Sequence, residues 1–399
     1  MPLAHMNDML HHAHRNRYAI GAFDLVSLDF LEGILRACEG TGAPVILSLA
    51  ESHFEHFDFD LLMAATVRAA QRAEVPVAIH LDHGASFESA VRAINHGCNG
   101  VMVDASSTAF AGNVALTRRV TEMAHGCGVT VEGELGYVAG VEGDDAEKHP
   151  GEVIYTSVEE ASTYVEQTGV DCLAVSIGTV HGRLRGRPEL DFDRLARIDE
   201  ALRIPLVIHG GTGLSDEQYR RLIENGVAKI NYFTALSDAA AAAIRAAAVC
   251  DPKAGHTGLL ADARGAIQVE VERMNHLFGS AGRADEVLES ARPWSSVAHL
   301  ILYETSGLDE AGVDAMMARG REVLSGIPGV RRVATGHAVK TDAQYSCCWV
   351  IEFASEKVID SYREHPDHVA FADELFRPVA RERLSIDYRL TDSITDLRS

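Results

Sequence analysis

The chain lacks a long apolar run, an excess of basic residues and a paired-cysteine motif, and each lack argues against a class of protein. No stretch approaches the ~20 apolar residues of a membrane span, and the first residues contain no apolar signal segment. A formal net charge of −22 argues against nucleic acid or an anionic membrane as the main partner. Seven cysteines without a CxxC pair predict reduced thiols in a cytoplasmic protein.

The 399 residues, 47% of them hydrophobic, predict a globular protein with one large and one smaller domain. Apolar runs alternate with helical patterns through the first two thirds of the chain. The eight candidate strands are Tyr18–Phe23, Val45–Ala50, Val77–Leu81, Gly100–Val103, Val129–Gly133, Cys172–Ile177, Leu206–His209 and Lys229–Tyr232. Eight strand–helix repeats over ~250 residues predict an α/β fold, a (β/α)8 TIM barrel, whose chemistry lies at the C-terminal ends of the strands.

Three histidines follow three of these strands, and each stands beside glycine. They are His83, His181 and His209. A lone histidine in such a place is more often a satisfied core or loop residue. Three imidazoles at three strand ends are the ligand set of a catalytic zinc with an open coordination position.

Acidic residues at the same rim have more than one interpretation. Asp82 is either a general acid/base or a carboxylate that orients a neighbouring histidine. Asp104 and Glu134 are candidates for a second metal site, for support of the ligands, or for plain surface carboxylates. Glu142 lies in the glycine-rich loop 136–151, where it is either a mobile base or part of a solvated acidic loop.

The ends of strands seven and eight form the corner where barrels frequently bind phosphate. Backbone amides and hydroxyls are the expected donors. With the end of the first strand included, the predicted substrate-binding residues are Asp24, Gly182, Gly210, Gly211, Thr212, Asn231, Tyr232, Phe233 and Thr234.

Beyond the barrel, predicted over 1–280, the pattern changes. A small, polar segment at 281–296 is typical of a linker. Residues 297–392 show a β-α-β-β-α-β order, which predicts a ferredoxin-like α+β domain. A short tail, 393–399, follows.

Residues 1–280 resemble the class II, zinc-dependent ketose-bisphosphate aldolases, close to the tagatose/fructose-bisphosphate branch. The motifs that carry the resemblance are Leu81–Gly84, Val131–Gly136, Gly178–Gly182, His209–Gly213 and Lys229–Asn231. The resemblance implies an aldolase that cleaves or forms a ketose 1-phosphate or bisphosphate. Its products would be dihydroxyacetone phosphate and an aldehyde, formed through a metal-stabilised enediolate.

The same resemblance implies roles for individual residues. His83, His181 and His209 would hold one Zn²⁺, or another divalent metal, per chain. Asp82 would exchange the proton on the aldehyde-derived oxygen, and Glu142 the proton on the carbon nucleophile. The expected partners are a phosphorylated sugar or ketose and further copies of the chain, as a dimer or tetramer.

The aldehyde side departs from the family pattern. Glu51 adds a negative charge there, and an unpaired carboxylate repels phosphate. We therefore expect an aldehyde without a phosphate.

Residues 297–392 resemble the Dabb family of stress-responsive dimeric α/β barrels. The motifs are His299–Tyr303, Ile327–Val330 and Tyr362–His368. The resemblance implies two sheets that pair to close a barrel, hence a dimerisation or small-ligand module. A catalytic role for His299, His365 and His368 is the alternative.

Two other functions stay open at this point. The barrel could bind a phosphorylated ligand without turnover, although an intact Asp82 with three histidines argues against a pure binder. The C-terminal domain could also carry a second activity that acts on the product of the barrel.

Overall fold

The computed structural model describes residues 2–136, 138, 154–180, 182 and 189–390. Two of the predicted site residues, His181 and Glu142, lie outside these ranges. Within them, no helix is both long enough and apolar enough to span a membrane.

Eight parallel strands close into a barrel. They are β1 (Ile20–Asp24), β2 (Val45–Ala50), β3 (Val77–Gly84), β4 (Gly100–Val103), β5 (Thr130–Leu135), β6 (Cys172–Val175), β7 (Leu206–Ile208) and β8 (Val227–Tyr232). Consecutive strands pair in chain order, and β1 pairs with β8 to close the ring. The predicted (β/α)8 barrel is confirmed.

Among the helices described around the barrel, six follow a residue whose side chain caps the first turn. The helices are α1 (Met6–Arg15), α2 (Leu28–Thr41), α3 (Phe59–Arg72), α4 (Phe87–His96), α5 (Phe110–Gly126), α6 (Val158–Thr168), α7 (Phe192–Leu202), α8 (Asp216–Glu224), α9 (Thr234–Cys250), α10 (His256–Leu260), α11 (Ala263–Leu277) and α12 (Ala284–Ser290). Ser157 and Ser215 accept hydrogen bonds from the backbone of Glu160 and Gln218, and the latter pair forms a full capping box.

Helix α1 closes the N-terminal end of the barrel as an apolar plug. Its residues Met6, Met9 and Leu10 have no exposed surface and pack under the inward-facing strand residues. Gly100 in β4 makes room for the plug, because a Cβ there would lie 2.3 Å from the sulfur of Met6. Because apolar side chains fill this end, the functional site is expected at the polar rim on the opposite end of the barrel.

The C-terminal domain is a four-stranded antiparallel sheet with helices on one face. Its elements are β9 (Val297–Thr305), α13 (Glu310–Leu324), β10 (Val330–His337), β11 (Cys347–Phe353), α14 (Val358–Glu364), α15 (Pro366–Phe371) and β12 (Ala380–Arg389). The strand order is β10-β11-β9-β12. This agrees with the predicted ferredoxin-like order.

The segment predicted as a linker is a packed part of the structure. Residues 284–290 form α12, whose Val287 is fully buried and belongs to the same apolar cluster as the α1 plug. The backbone N–H of Trp294 donates to Leu3 O at 2.9 Å. A short polar sequence is therefore ordered here because the barrel offers it an apolar surface.

The C-terminal domain is attached at the plugged end of the barrel. Asn95, at the end of α4, donates to Ser325 O (3.2 Å) and Ile327 O (3.1 Å) and accepts from Gly329 N (2.7 Å). Ser355 Oγ donates to Cys127 O at 2.7 Å. Helix ends that precede barrel strands lie at the N-terminal end of the barrel, so the open rim stays clear of this domain.

Candidate metal and phosphate site

The end of β3 is the most constrained backbone at the rim. His83 has φ of +46°, in the left-handed region that side chains other than glycine rarely adopt. The register between β3 and β4 shifts between Leu81 and Gly84. A Cβ on Gly84 would lie 2.7 Å from Met102 O. Strained backbone next to a bulge is typical of functional sites, where it aims a side chain.

The imidazoles of His83 and His209 face each other across the rim. Nε2 of His83 lies 2.8 Å from Nδ1 of His209. The other nitrogen of each ring contacts a carboxylate: His83 Nδ1 lies 2.9 Å from Asp104 Oδ2, and His209 Nε2 lies 2.8 Å from Glu132 Oε1. Because each carboxylate accepts an N–H, the two facing nitrogens carry the lone pairs of neutral rings.

Two lone pairs at 2.8 Å repel unless a proton or a metal ion lies between them. Without metal a proton takes this place. Burial opposes the charged form, but Asp82 and Asp104 together raise the pKa of His83 well above its ordinary value. Nitrogen ligands held by carboxylates in this way fit a divalent transition metal. His181, predicted as the third nitrogen ligand, lies outside the described residues.

Asp82 is an ionised carboxylate beside this pair. It is buried, and both of its oxygens accept from Asn231 Nδ2 at 3.0 Å. Burial by itself would raise the pKa of Asp82, but the charges of His83, His209 and Lys229 outweigh burial and hold that pKa below its ordinary value. Asp82 is therefore available to accept a proton.

Glu132 and Lys229 were not predicted as site residues. Lys229 Nζ lies 2.7 Å from Glu132 Oε2 and donates to Asn231 Oδ1 at 2.7 Å, and neither charged side chain has exposed surface. Burial disfavours the ionised form of Glu132, yet Lys229 and His209 lower its pKa to about 2. The alternation of strand residues could have revealed both, since Glu132 shares one face of β5 with Glu134 and Lys229 shares one face of β8 with Asn231.

Asp104 and Glu134 form a second group with His83. Burial would raise the pKa of Asp104, but its hydrogen bond with His83 holds that pKa below its ordinary value. Burial and the charge of Asp104 raise the pKa of Glu134 well above the ordinary range. The pKa values of the two carboxyl groups are therefore shifted in opposite directions. The ligand atoms of the three residues all lie within 4.8 Å of one another.

The phosphate corner is built from the loop after β7 and the start of α9. Gly210 has φ of +65°, and a Cβ on Gly211 would lie 2.8 Å from Asn231 O. Thr212 Oγ1 accepts from Ala235 N at 3.4 Å and joins the loop to the first turn of α9. Gly-rich backbone at the N-terminus of a helix favours an anion. Gly182, with φ of +80°, and buried Thr234 are the other predicted residues of this corner.

Two predicted site residues point elsewhere. The hydroxyl of Tyr232 donates to Glu270 Oε1 at 2.6 Å on the helix side of the barrel. The ring of Phe233 packs on His53, with centroids 4.5 Å apart. Both side chains therefore have other partners, and only the backbone groups of these two residues can contact a ligand at the phosphate corner. Asp24 ends β1 as predicted and is buried.

The charge of Glu51 is not unpaired, which corrects the basis of the aldehyde prediction. Its carboxylate accepts from Ala85 N at 2.6 Å and from Ser89 Oγ at 2.8 Å, at the beginning of α4. The negative charge is balanced there by the helix N-terminus.

A closed (β/α)8 barrel whose C-terminal rim carries two facing imidazoles, a buried carboxylate and a glycine-rich corner has the architecture of a barrel enzyme. Residues 4–283 match the profile of the family "Fructose-bisphosphate aldolase class-II". The chain belongs to that family and is an aldolase. Residues 297–390 match the Dabb family, the "Stress responsive A/B Barrel Domain". The predicted combination of a class II aldolase barrel and a Dabb domain is confirmed.

Known relatives cover the barrel part of the chain. The fructose-bisphosphate aldolase of Geobacillus stearothermophilus is 40% identical over 288 residues, which are 71% of this chain and 99% of the relative. That of Staphylococcus epidermidis strain ATCC 12228 is 40% identical over 292 residues, 71% and 100% of the two chains. The crystal structure of the YdjI aldolase from Escherichia coli K12 superposes with a TM-score of 0.62 at 33% identity. It covers 71% of this chain and 99% of that one.

Proposed function

We propose that the barrel is a zinc-dependent aldolase that interconverts a ketose 1-phosphate or bisphosphate with dihydroxyacetone phosphate and an aldehyde. The observation that carries the proposal is the pair of facing imidazoles, each held by a carboxylate, beside an ionised aspartate. Fructose 1,6-bisphosphate is the first substrate to test, because the relatives at 40% identity are named for it.

His83 and His209 would hold the zinc together with His181. When bound, the zinc supplies a Lewis acid that polarises the ketone carbonyl of the substrate. The surrounding residues keep the ligands in place: Asp104 and Glu132 each fix one ring, so the nitrogen that faces the site is set before the metal arrives.

Asp82 moves the proton at the substrate hydroxyl. In the cleavage direction it takes the proton from the oxygen that becomes the aldehyde, and in the synthesis direction it returns that proton. The two contacts from Asn231 fix the carboxylate, and its low pKa keeps it ionised. Glu142, outside the described residues, is proposed for the second proton, at the carbon of the nucleophile.

The substrate phosphate would lie at the corner between the β7 loop and α9. Gly182, Gly210 and Gly211 offer backbone N–H groups, and Thr212 and Thr234 offer hydroxyls. Asn231, by contrast, is occupied with Asp82 and Lys229, so we assign it to positioning rather than to phosphate. Asp24 stays a proposed substrate contact at the end of β1.

The C-terminal domain would join two copies of the chain. The sheet face opposite the helices carries an apolar row that includes Leu302, Leu384 and Tyr388, which are 36%, 41% and 48% exposed. These residues lie on adjacent strands, β9 and β12, and their open face suits a second sheet of the same kind. We propose a homodimer, or a tetramer built from it.

The domain bounds would be 1–280 for the barrel and 297–392 for the Dabb domain, with 281–296 as a packed connection and 393–399 as a tail. A cytoplasmic location is proposed as well, since all seven cysteines are free thiols.

The test is metal content measured together with retro-aldol turnover. Wild type, His209→Ala and the matched surface control His256→Ala are assayed on fructose and tagatose bisphosphates and on ketose 1-phosphates. We expect about one zinc per chain and release of dihydroxyacetone phosphate from wild type and His256→Ala, with both lost in His209→Ala. Absence of metal and of turnover in wild type would instead favour a phosphorylated-ligand binder.

A further inference from the structure

A cavity in the C-terminal domain lies between the sheet and the helices α14 and α15. Its volume is about 270 Å³. The floor is aromatic: Trp349, Phe371 and Phe376 are each less than a tenth exposed. Nothing in the aldolase reaction uses this space, since the domain is attached at the plugged end of the barrel, away from the rim.

The charge of the cavity is opposite to that of the chain. Acidic residues outnumber Lys and Arg by 58 to 36 overall. The described residues that line the cavity nevertheless include Arg363, Arg377 and Arg383 and no Asp or Glu. An apolar floor with a cationic mouth suits a molecule that has an apolar body and one anionic group.

Arg383 is the arginine best placed to bind that anionic group. Arg363 and Arg377 contact acidic residues of their own helical turns, Asp360 and Asp373. Among the described residues, no hydrogen bond or ion pair of the Arg383 side chain is found. The residue follows a bulge: the register of β12 against β9 shifts between Arg381 and Leu384, and Glu382 has φ of +40°. A bulge re-aims the side chains next to it, here toward the cavity.

His299 adds a hydrogen-bonding group to the same wall. Its Nδ1 lies 2.6 Å from Asp387 Oδ1 on the neighbouring strand. The ring stacks on Phe353 at 5.7 Å between centroids. With Nδ1 paired to the carboxylate, Nε2 is the ring nitrogen that can form a hydrogen bond with a hydroxyl of a ligand.

We infer that this cavity is a binding site for a small anionic molecule with an apolar, ring-sized body, held by Arg383 over the floor of Trp349, Phe371 and Phe376. The volume suits about ten to fifteen non-hydrogen atoms. A carboxylate is the simplest such anion, and a phosphate on the same apolar body shares its chemistry.

The experiment uses a pair of probes that differ only in charge, 4-phenylbutanoate and 4-phenylbutanamide. Each is titrated calorimetrically into the full-length protein. We expect saturable binding of the carboxylate, with the amide at least tenfold weaker because it lacks the charge-assisted contact. Phenyl phosphate binding as well would show that an anionic headgroup other than a carboxylate is sufficient. Inorganic phosphate alone should not bind, since it lacks the apolar body.

Two substitutions locate the site. Arg383→Gln should weaken 4-phenylbutanoate at least tenfold, while the matched control Arg381→Gln, on the same strand but outside the lining, should stay within twofold of wild type. Ile301→Trp fills the cavity and should abolish binding. The inference is overturned if wild type shows no saturable binding of the carboxylate, if the amide binds equally well, or if the two arginine variants lose affinity equally.

Discussion

Substitutions in the buried pair of Lys229 and Glu132 should change the free energy of unfolding of the barrel and its affinity for metal independently. Lys229 Nζ lies 2.7 Å from Glu132 Oε2, with neither side chain exposed. Lys229→Met leaves the carboxylate of Glu132 buried beside two imidazoles, those of His209 at 2.8 Å and His80 at 3.5 Å. Breaking one side of a buried pair lowers the free energy of unfolding by about 3–5 kcal/mol. Replacing both partners, as in Lys229→Met with Glu132→Met, removes the isolated charge and should recover most of that loss.

Metal affinity should not recover in the double variant. Glu132 Oε1 holds His209 Nε2 at 2.8 Å and so presents Nδ1 to the site. Loss of a carboxylate that orients a histidine ligand typically reduces metal affinity about 10–100-fold. Urea unfolding of the metal-free protein measures the first quantity, and competition with a chromogenic chelator measures the second.

Either of two results would contradict these expectations. If the free energy of unfolding of Lys229→Met lies within about 1 kcal/mol of wild type, breaking the buried pair carries no such penalty. Alternatively, the double variant could bind zinc as tightly as wild type, and Glu132 would then have no part in presenting His209.

Two further predictions follow from the geometry. Asp82→Asn should lower kcat by about 10²–10⁴-fold, because the substitution removes the proton acceptor. About one zinc per chain should be retained, because both imidazoles stay in place. A kcat within tenfold of wild type, measured by coupled assay, would argue against Asp82 as the base. Leu302→Lys, on the open sheet face, should convert the proposed dimer to a monomer, as measured by light scattering after size exclusion. Leu308→Lys should not, because Leu308 lies off that face although its exposure, 40%, is close to the 36% of Leu302. A wild-type monomer would contradict the proposed dimer.

Much of the barrel was predictable because its signals are local. Each strand is a short apolar run that ends in a polar residue, and the cap residues Ser157 and Ser215 mark where helices start. The C-terminal ends of parallel strands meet at one rim, so His83 and His209 were expected to converge from sequence alone.

The errors came from contacts that a local pattern does not contain. Segment 281–296 is polar in composition, yet α12 packs Val287 against the plugged end of the barrel. Glu51 was taken as an unpaired charge, while its partners at the start of α4 come from a different strand–helix unit. Alternation along β8 likewise turns the Tyr232 side chain toward Glu270 and Asn231 inward, so Tyr232 remains a predicted substrate contact only through its backbone.

The sequence by itself determined the eightfold alternation, the second domain and the three glycine-flanked histidines, because hydrophobic periodicity and motif order are properties of neighbouring residues. Tertiary structure alone decided which imidazole nitrogens face each other, that Lys229 and Glu132 support them, and that Arg383 stands over an aromatic cavity. Those facts depend on strand register, on bulges and on the closure of the barrel, which in the rim brings together side chains more than 70 residues apart in the chain. Burial and ion pairing stabilise the protein only after the fold has brought these side chains into contact.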